Sequence, residues 1–190
     1  TIQRGMQGQV AAGHCCSLAF VDEEKAARVI DKVAKAGITV ITLPSCNLVL
    51  MGRGIHPAPR GTTPVAALLG RGVPVCAASD NVGDPFNPFG AYDPLAIAQL
   101  NAHVAHMSSE EGLRASLRMV TETPAEMLGL GAGVIAVGRQ ADLVVLDTRQ
   151  TADAVLCPPP RLGTFKAGQL IVQTGFERQW HDPGFVEKES

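Results

Sequence analysis

Short apolar runs alternate with helical segments in the first half of this chain, and this alternation constrains its fold. Three runs of strand-like composition, residues 9–15, 38–43 and 73–79, are separated by stretches whose alanine and leucine spacing is typical of helices. The order strand, helix, strand, helix, strand, helix predicts a parallel sheet with right-handed crossovers. We therefore expect an α/β fold for this part of the chain.

The helices between and after these runs have recognisable ends. Acidic residues 22–24 open the first helix, where they suit the helix dipole, and Gly37 ends it. Residues 94–107 predict an amphipathic helix, and Ser108 or Ser109 predicts the cap of the next one. Between the second and third strand runs, residues 47–64 form a long connection rich in Gly, Pro and Arg, typical of functional or disordered loops.

Polar side chains follow each of the three strand runs. They are His14, the trio of residues 45–47, and Asp80. In a (β/α)8 barrel the carboxyl ends of the strands hold the catalytic groups. Asp80, followed by a Pro- and Gly-rich loop with Phe86 and Phe89, is thus a candidate metal ligand or general base beside a flat substrate. The alternative is an aspartate that only closes a turn.

The predicted secondary structure changes after residue 130, from alternating strands and helices to strands and turns. Residues 133–147 predict a β-turn-β unit, and residues 163–174 predict a hairpin that turns at Ala167-Gly168. We expect three parts: an α/β part over residues 1–130, a small β subdomain over 131–176 and a polar tail over 177–190.

Composition narrows the classes of function. A formal net charge of −2 and a pI near 6.2 argue against nucleic-acid binding, and no run of 18 apolar residues predicts a membrane span. Five cysteines without CxxC spacing favour a reducing cytoplasm over a disulfide framework. The first residues do not resemble a signal peptide, and a start at Thr1 rather than at Met predicts a piece of a longer protein.

Two histidines three residues apart, His103 and His106, are a candidate metal-binding pair. They could share one face of the helix predicted over residues 94–107, but no third ligand follows nearby in sequence. Packing or surface positions are the alternative, and the sequence favours these.

Three segments together resemble the C-terminal half of the amidohydrolase superfamily, in its cytosine deaminase-like branch. Residues 133–147, GVIAVGRQADLVVLD, are similar to the GxIxxGxxADLVVLD pattern of that superfamily. Residues 78–86 resemble its eighth-strand acid and loop. Gly13-His14, with residues 51–53 and 60–61, resembles its sixth-strand histidine and seventh loop. The resemblance covers residues 3–180 and implies the C-terminal half of a TIM-type barrel, strands six to eight, with part of an appended β subdomain.

The resemblance also implies roles for individual residues. Asp80 corresponds to a metal ligand that takes a proton from the attacking water and passes it to the departing nitrogen. His14 corresponds to the imidazole that orients the attacking oxygen or stabilises the developing charge. The implied cofactor is one divalent metal ion, zinc or iron. The implied reaction is hydrolysis of the exocyclic C–N bond of a planar, cytosine-like N-heterocycle.

Two substrate contacts follow from the loop after Asp80. Phe86 corresponds to the aromatic residue that stacks on the ring, with simple loop packing as its alternative. Asn81 stands where the cytosine deaminases have a second aspartate, and an amide both donates and accepts hydrogen bonds. The ring edge that is recognised can therefore differ from that of cytosine, as in relatives that act on aminotriazines or other cyclic amides.

The metal site implied by the resemblance is incomplete in this sequence. No counterpart of the first-strand His-x-His, the fifth-strand histidine or the HxxE acid precedes His14. We therefore expect the N-terminal half of the same protein to supply these ligands, and a homo-oligomer is possible. The alternative is a non-catalytic fragment that acts only as a folding or interaction partner.

Overall fold

The structure is a computed structural model that describes residues 1–177, 179 and 181. Its strands are β1 (Val10–Gly13), β2 (Ile38–Thr42), β3 (Val75–Ala77), β4 (Leu143–Leu146), β5 (Arg161–Lys166) and β6 (Gln169–Gln173). Its helices are α1 (Glu23–Lys35), α2 (Pro44–Leu50), α3 (Val65–Leu69), α4 (Pro94–Val104), α5 (Glu110–Arg118), α6 (Glu122–Met127) and α7 (Asp153–Leu156). Most of the tail predicted over residues 177–190 lies outside the described residues.

The first sheet is parallel, in the order β1-β2-β3. Every residue of β3 is buried, as are most residues of β2, because helices cover this sheet. This confirms the α/β class. Since all three strands run in the same direction, their carboxyl ends meet at one edge. That these three strands are the C-terminal half of an eight-stranded barrel stays a prediction.

Helix α1 forms where its end signals predicted it. The Asp22 carboxylate accepts a hydrogen bond from the Lys25 amide at 2.7 Å, which satisfies a free donor of the first turn. Ile30 on its inner face is 1% exposed. Gly37 follows the helix with a φ of +59°, a left-handed conformation that glycine adopts without steric cost. The chain can therefore turn directly into β2.

A second, antiparallel sheet has the order β4-β5-β6. The predicted hairpin is confirmed, with its turn at Ala167-Gly168. The predicted β-turn-β unit over residues 133–147 is wrong in its first half, because residues 133–142 form turns and only β4 is a strand. This first half has few partners to pair with, and its Ile135 and Val137 side chains are exposed.

Side chains from both halves of the chain share one hydrophobic core. Ala154 and Val155 of α7 are buried in the same cluster as residues of β2, β3, α3, α4 and α5. The Gln99 amide also donates to the Leu156 carbonyl at 2.9 Å, which joins α4 to α7. Arg161 of β5 pairs with Asp93, which caps α4. The sheet of β4 to β6 is thus tied to the α/β part.

Candidate active site

The carboxyl edge of the parallel sheet brings His14 and Asp80 together. His14 Nε2 lies 3.4 Å from Asp80 Oδ2, although 66 positions separate the residues in sequence. The side chain of His14 is 43% exposed and that of Asp80 is 27% exposed, so both groups can reach a small molecule. Both residues have left-handed backbone, with φ of +63° and +59°, which for non-glycine residues costs conformational energy. Such strain is common where a side chain must be aimed at a site.

The backbone of His14 is anchored on two sides. Its N–H donates to the Ile41 carbonyl at 3.0 Å, which continues the pairing of β1 with β2. Its carbonyl accepts a hydrogen bond from the Thr63 hydroxyl, and Thr63 is buried. The sequence analysis gave Thr63 no role at this site. Its contact with His14 was missed because it depends on the path of the long loop before α3.

Helix α2 begins directly after β2 and places three consecutive side chains at the site. The Ser45 hydroxyl accepts from Asn87 at 2.9 Å, Cys46 Sγ lies 3.9 Å from Asn81 Oδ1, and Asn47 Nδ2 lies 3.1 Å from His14 Nδ1. The polar groups of residues 45–47, predicted at the end of the second strand, therefore lie between His14 and Asp80, the groups at the ends of the other two strands. We call residues 45–47 the α2 bracket.

Cys46 is a buried, protonated thiol in this bracket. Burial, followed by the hydrogen bond with the neighbouring Asp80 carboxylate, raises its pKa to about 11. At neutral pH the thiol therefore keeps its proton and acts as a donor rather than as a thiolate ligand.

The loop after Asp80 is organised by a second carboxylate, that of Asp84. It accepts from the amide N–H groups of Phe86 and Asn87, each at 2.9 Å, and from the side-chain amide of Asn81. The Asn87 N–H first, then the Asn81 amide and the Phe86 N–H, hold the Asp84 pKa below its ordinary value. Asp84 is thus ionised at neutral pH and fixes the loop.

The two predicted substrate residues occupy different environments. Phe86 is 61% exposed, so its ring is free to stack on a planar molecule. Asn81 is already engaged by Asp84 and Cys46, which leaves it one amide N–H and one lone pair for another partner. Asn87, which the sequence reasoning missed, is fully buried and donates to Ser45 and to the Asn81 carbonyl. Its place before Pro88 in a turn-rich loop is the only signal that pointed to it.

A complete metal site does not fit the described part of the chain. A zinc ion needs three or four protein ligands in a structural or catalytic site. Within residues 1–177 and the two other described positions, no group of three or more His, Cys, Asp or Glu side chains could hold an ion. In the candidate pair of His103 and His106, His103 Nδ1 lies 2.8 Å from the Gln99 carbonyl. The described residues also include no helix with the length and hydropathy to cross a bilayer.

Comparisons with known proteins agree on one family. The amidohydrolase family model matches residues 1–172. A pterin deaminase of Rhizobium rhizogenes is 40% identical over 173 residues, which cover 90% of this chain and 39% of the relative. The chain thus spans about two fifths of the length of this curated relative.

Solved structures show the same partial coverage. The 5-methylcytosine deaminase of Klebsiella pneumoniae, solved with 5-fluorocytosine, superposes with a TM-score of 0.87 at 32% identity, covering 94% of this chain and 44% of that one. An adenosine deaminase of Xanthomonas campestris with bound zinc has a TM-score of 0.64 at 22% identity, over 87% of this chain and 37% of that one, a likeness of fold alone. With a family model that matches nearly its whole length, this chain belongs to the amidohydrolase family.

Proposed function

We propose that this chain is the C-terminal part of a metal-dependent aminohydrolase acting on planar N-heterocycles. The reaction adds water to the ring carbon and expels its amino group, giving a ring carbonyl and ammonia. The observation that carries the proposal is the His14–Asp80 pair, 3.4 Å apart at the carboxyl edge of a parallel sheet. The deaminase names of relatives at 40% and 32% identity support it.

Each residue of the site has a distinct task in this proposal. Asp80 accepts a proton from the attacking water and returns it to the departing nitrogen, since a carboxylate can do both within hydrogen-bond reach. His14 lies beside the attacking oxygen and stabilises its negative charge. Phe86 stacks on the ring, and the remaining donor and acceptor of Asn81 pair with its edge.

The proposal includes a divalent metal ion, zinc or iron, with Asp80 as one ligand. The other ligands come from the N-terminal half of the same protein, in line with the partial coverage of the relatives. When bound, such an ion lowers the pKa of a water molecule and makes it a nucleophile at neutral pH. In the same proposal, β1, β2 and β3 are strands six to eight of the barrel, within a domain of residues 1–130, and residues 131–176 form the appended subdomain.

The decisive test uses the longest natural protein that contains this chain. Ammonia release is measured with pterin, cytosine and 5-methylcytosine, and bound metal is measured on the same preparations. We expect Asp80→Asn to lower kcat by roughly 10²–10⁴-fold, the range for loss of a general acid-base group. Asp31→Asn is the matched control, because Asp31 lies on the surface in a pair with Arg71.

Two results would overturn the proposal. Full turnover in Asp80→Asn would show that this carboxylate moves no proton. Absence of both metal and turnover in the longest natural protein would favour the alternative, a non-catalytic folding or interaction partner.

A further inference from the structure

Asn47 is a buried amide whose side-chain NH2 group lies within hydrogen-bond distance of His14. It is 2% exposed, and its Nδ2 lies 3.1 Å from His14 Nδ1. Its Oδ1 is buried and has no hydrogen-bond partner among the described residues. Asn101 is likewise a buried amide with an unpartnered Oδ1, but its Nδ2 contacts Ser116 and two methionine sulfurs. Asn47 is therefore distinguished by its Nδ2, which lies against a ring nitrogen of His14.

The orientation of this amide determines which ring nitrogen carries the proton. An NH2 group only donates, so His14 Nδ1 must accept and must be unprotonated in the neutral ring. The proton of the neutral imidazole then sits on Nε2, the nitrogen that faces Asp80. The reverse orientation would leave the buried NH2 group, with two donors, unpaired instead of one carbonyl oxygen.

We propose that Asn47 is a positioning residue that fixes His14 as its Nε2–H tautomer. This inference rests on the proposed function, and it specifies how the imidazole acts there. His14 meets the reacting oxygen as a hydrogen-bond donor, and its Nε2 cannot bind a cation while it holds that proton. The backbone of His14 is fixed by Ile41 and Thr63 and its ring by Asn47, so the residue is held at three points.

The tautomer can be read directly by nuclear magnetic resonance. Long-range proton–nitrogen correlation of the ¹⁵N-labelled longest natural protein that contains this chain distinguishes Nε2–H from Nδ1–H rings, at an alkaline pH where imidazole rings are neutral. His14 is assigned by the loss of its signals in His14→Gln. His103 is an internal reference, because its Nδ1 lies 2.8 Å from the Gln99 carbonyl, which can only accept. We expect Nε2–H for His14 and Nδ1–H for His103.

Substitution of Asn47 tests the cause. A carboxylate only accepts, so Asn47→Asp is expected to move the His14 proton to Nδ1. Where this variant does not fold, Asn47→Leu replaces it, and an Nδ1–H population of His14 is expected to appear. Asn101→Leu is the matched control, because Asn101 is an equally buried amide that contacts Ser116 and two methionines instead of the site. It should leave the His14 signals in place.

Three results would overturn the inference. One is an Nδ1–H tautomer of His14 in the unaltered chain. Another is an unchanged His14 tautomer in a folded Asn47 variant. The third is a tautomer change of the same size in Asn101→Leu.

A kinetic measurement separates this inference from the proposed function. In the longest natural protein we expect Asn47→Asp to lower kcat about 10²-fold with little change in KM, because the donor is misplaced while substrate still binds. If the protein releases no ammonia, the proposed function fails, yet the tautomer result still stands. If Asp80→Asn abolishes turnover while the folded Asn47 variant keeps it, only the positioning role is wrong.

Discussion

Asp84 shows how one ionised side chain can organise a loop of the candidate site. Its carboxylate gathers the backbone N–H groups of Phe86 and Asn87 and the amide of Asn81. Phe86 has little packing of its own, because its ring is 61% exposed. The position of that ring is therefore set by the backbone on which Asp84 acts.

Replacing Asp84 with alanine should release this loop. We expect amide hydrogen exchange at Phe86 and Asn87 to become about tenfold faster or more, because each loses a hydrogen bond to a charged acceptor. Exchange is followed by NMR at a fixed pH. The Gly112 amide, which donates to Ser109 at 3.1 Å, is the internal control and should not change. Equal exchange at Phe86 in both proteins would mean that another group holds the loop.

Sequence reasoning predicted which strand ends carry the polar groups of the candidate site, but not the contacts that hold those groups in place. His14 and Asp80 were predictable because both follow apolar runs, and parallel strands bring such ends to one edge. Thr63 and Asn87 were not, since their contacts depend on the course of loops that composition does not determine. Asn81 was predicted to hydrogen-bond the edge of the substrate ring. This stays a prediction for the one N–H and one lone pair of its amide that Asp84 and Cys46 do not engage.

The secondary structure was predictable where local signals and packing agree. Helix α1 and the β5–β6 hairpin have clear end signals, and both are confirmed. Helix α2 was missed because residues 47–64 were interpreted as one long connection, although Pro44 is of a type favoured in the first turn of a helix. Helix α7 is four residues long and has no periodicity of its own, so only its packing against α4 and α5 forms it.

Asp142 makes the stability of the second sheet depend on pH. Its carboxylate accepts from Lys166, from the Ala167 N–H in the hairpin turn and from Gln140. Lys166 first, then the Ala167 N–H, lowers the Asp142 pKa to about 2. Because the folded pKa lies below the ordinary value of about 3.9, this contribution is complete above that value and is lost as pH falls toward 2.

We therefore expect Asp142→Asn to be less stable than the unaltered chain at pH 6 and nearly equal to it at pH 2. The free energy of unfolding is measured by denaturant titration at a series of pH values. Asp147→Asn, an aspartate just beyond the end of β4, is the control and should show no such convergence. A constant difference across the whole range would contradict the role given to the Asp142 carboxylate.

The described molecule leaves much apolar surface uncovered. Both β1 and β3 are edge strands within the described sheet, and unpaired edges invite further pairing. Large apolar side chains are exposed over the second sheet and the segment before it, namely Ile135, Val137, Val144, Leu170, Ile171 and Val172. Exposed apolar patches of this kind are typical of surfaces that bind another molecule or promote aggregation.

We expect the isolated 190-residue chain to associate as its concentration rises. Light scattering should give a mass above the 19.9 kDa of one chain, and a hydrophobic dye should fluoresce on binding. Addition of the proposed N-terminal half, on a separate chain, should reduce both signals. A monomeric mass and no dye fluorescence at every concentration would contradict this prediction.

The α2 bracket also limits which mutations this protein can tolerate. Its three neighbouring side chains each contact a different partner, namely Asn87, Asn81 and His14. An α-helix turns by about 100° for each added residue. One codon inserted between β2 and α2 would therefore swing all three groups away together, whereas a point substitution loses only one. Substitutions at this junction should therefore be tolerated better than insertions or deletions.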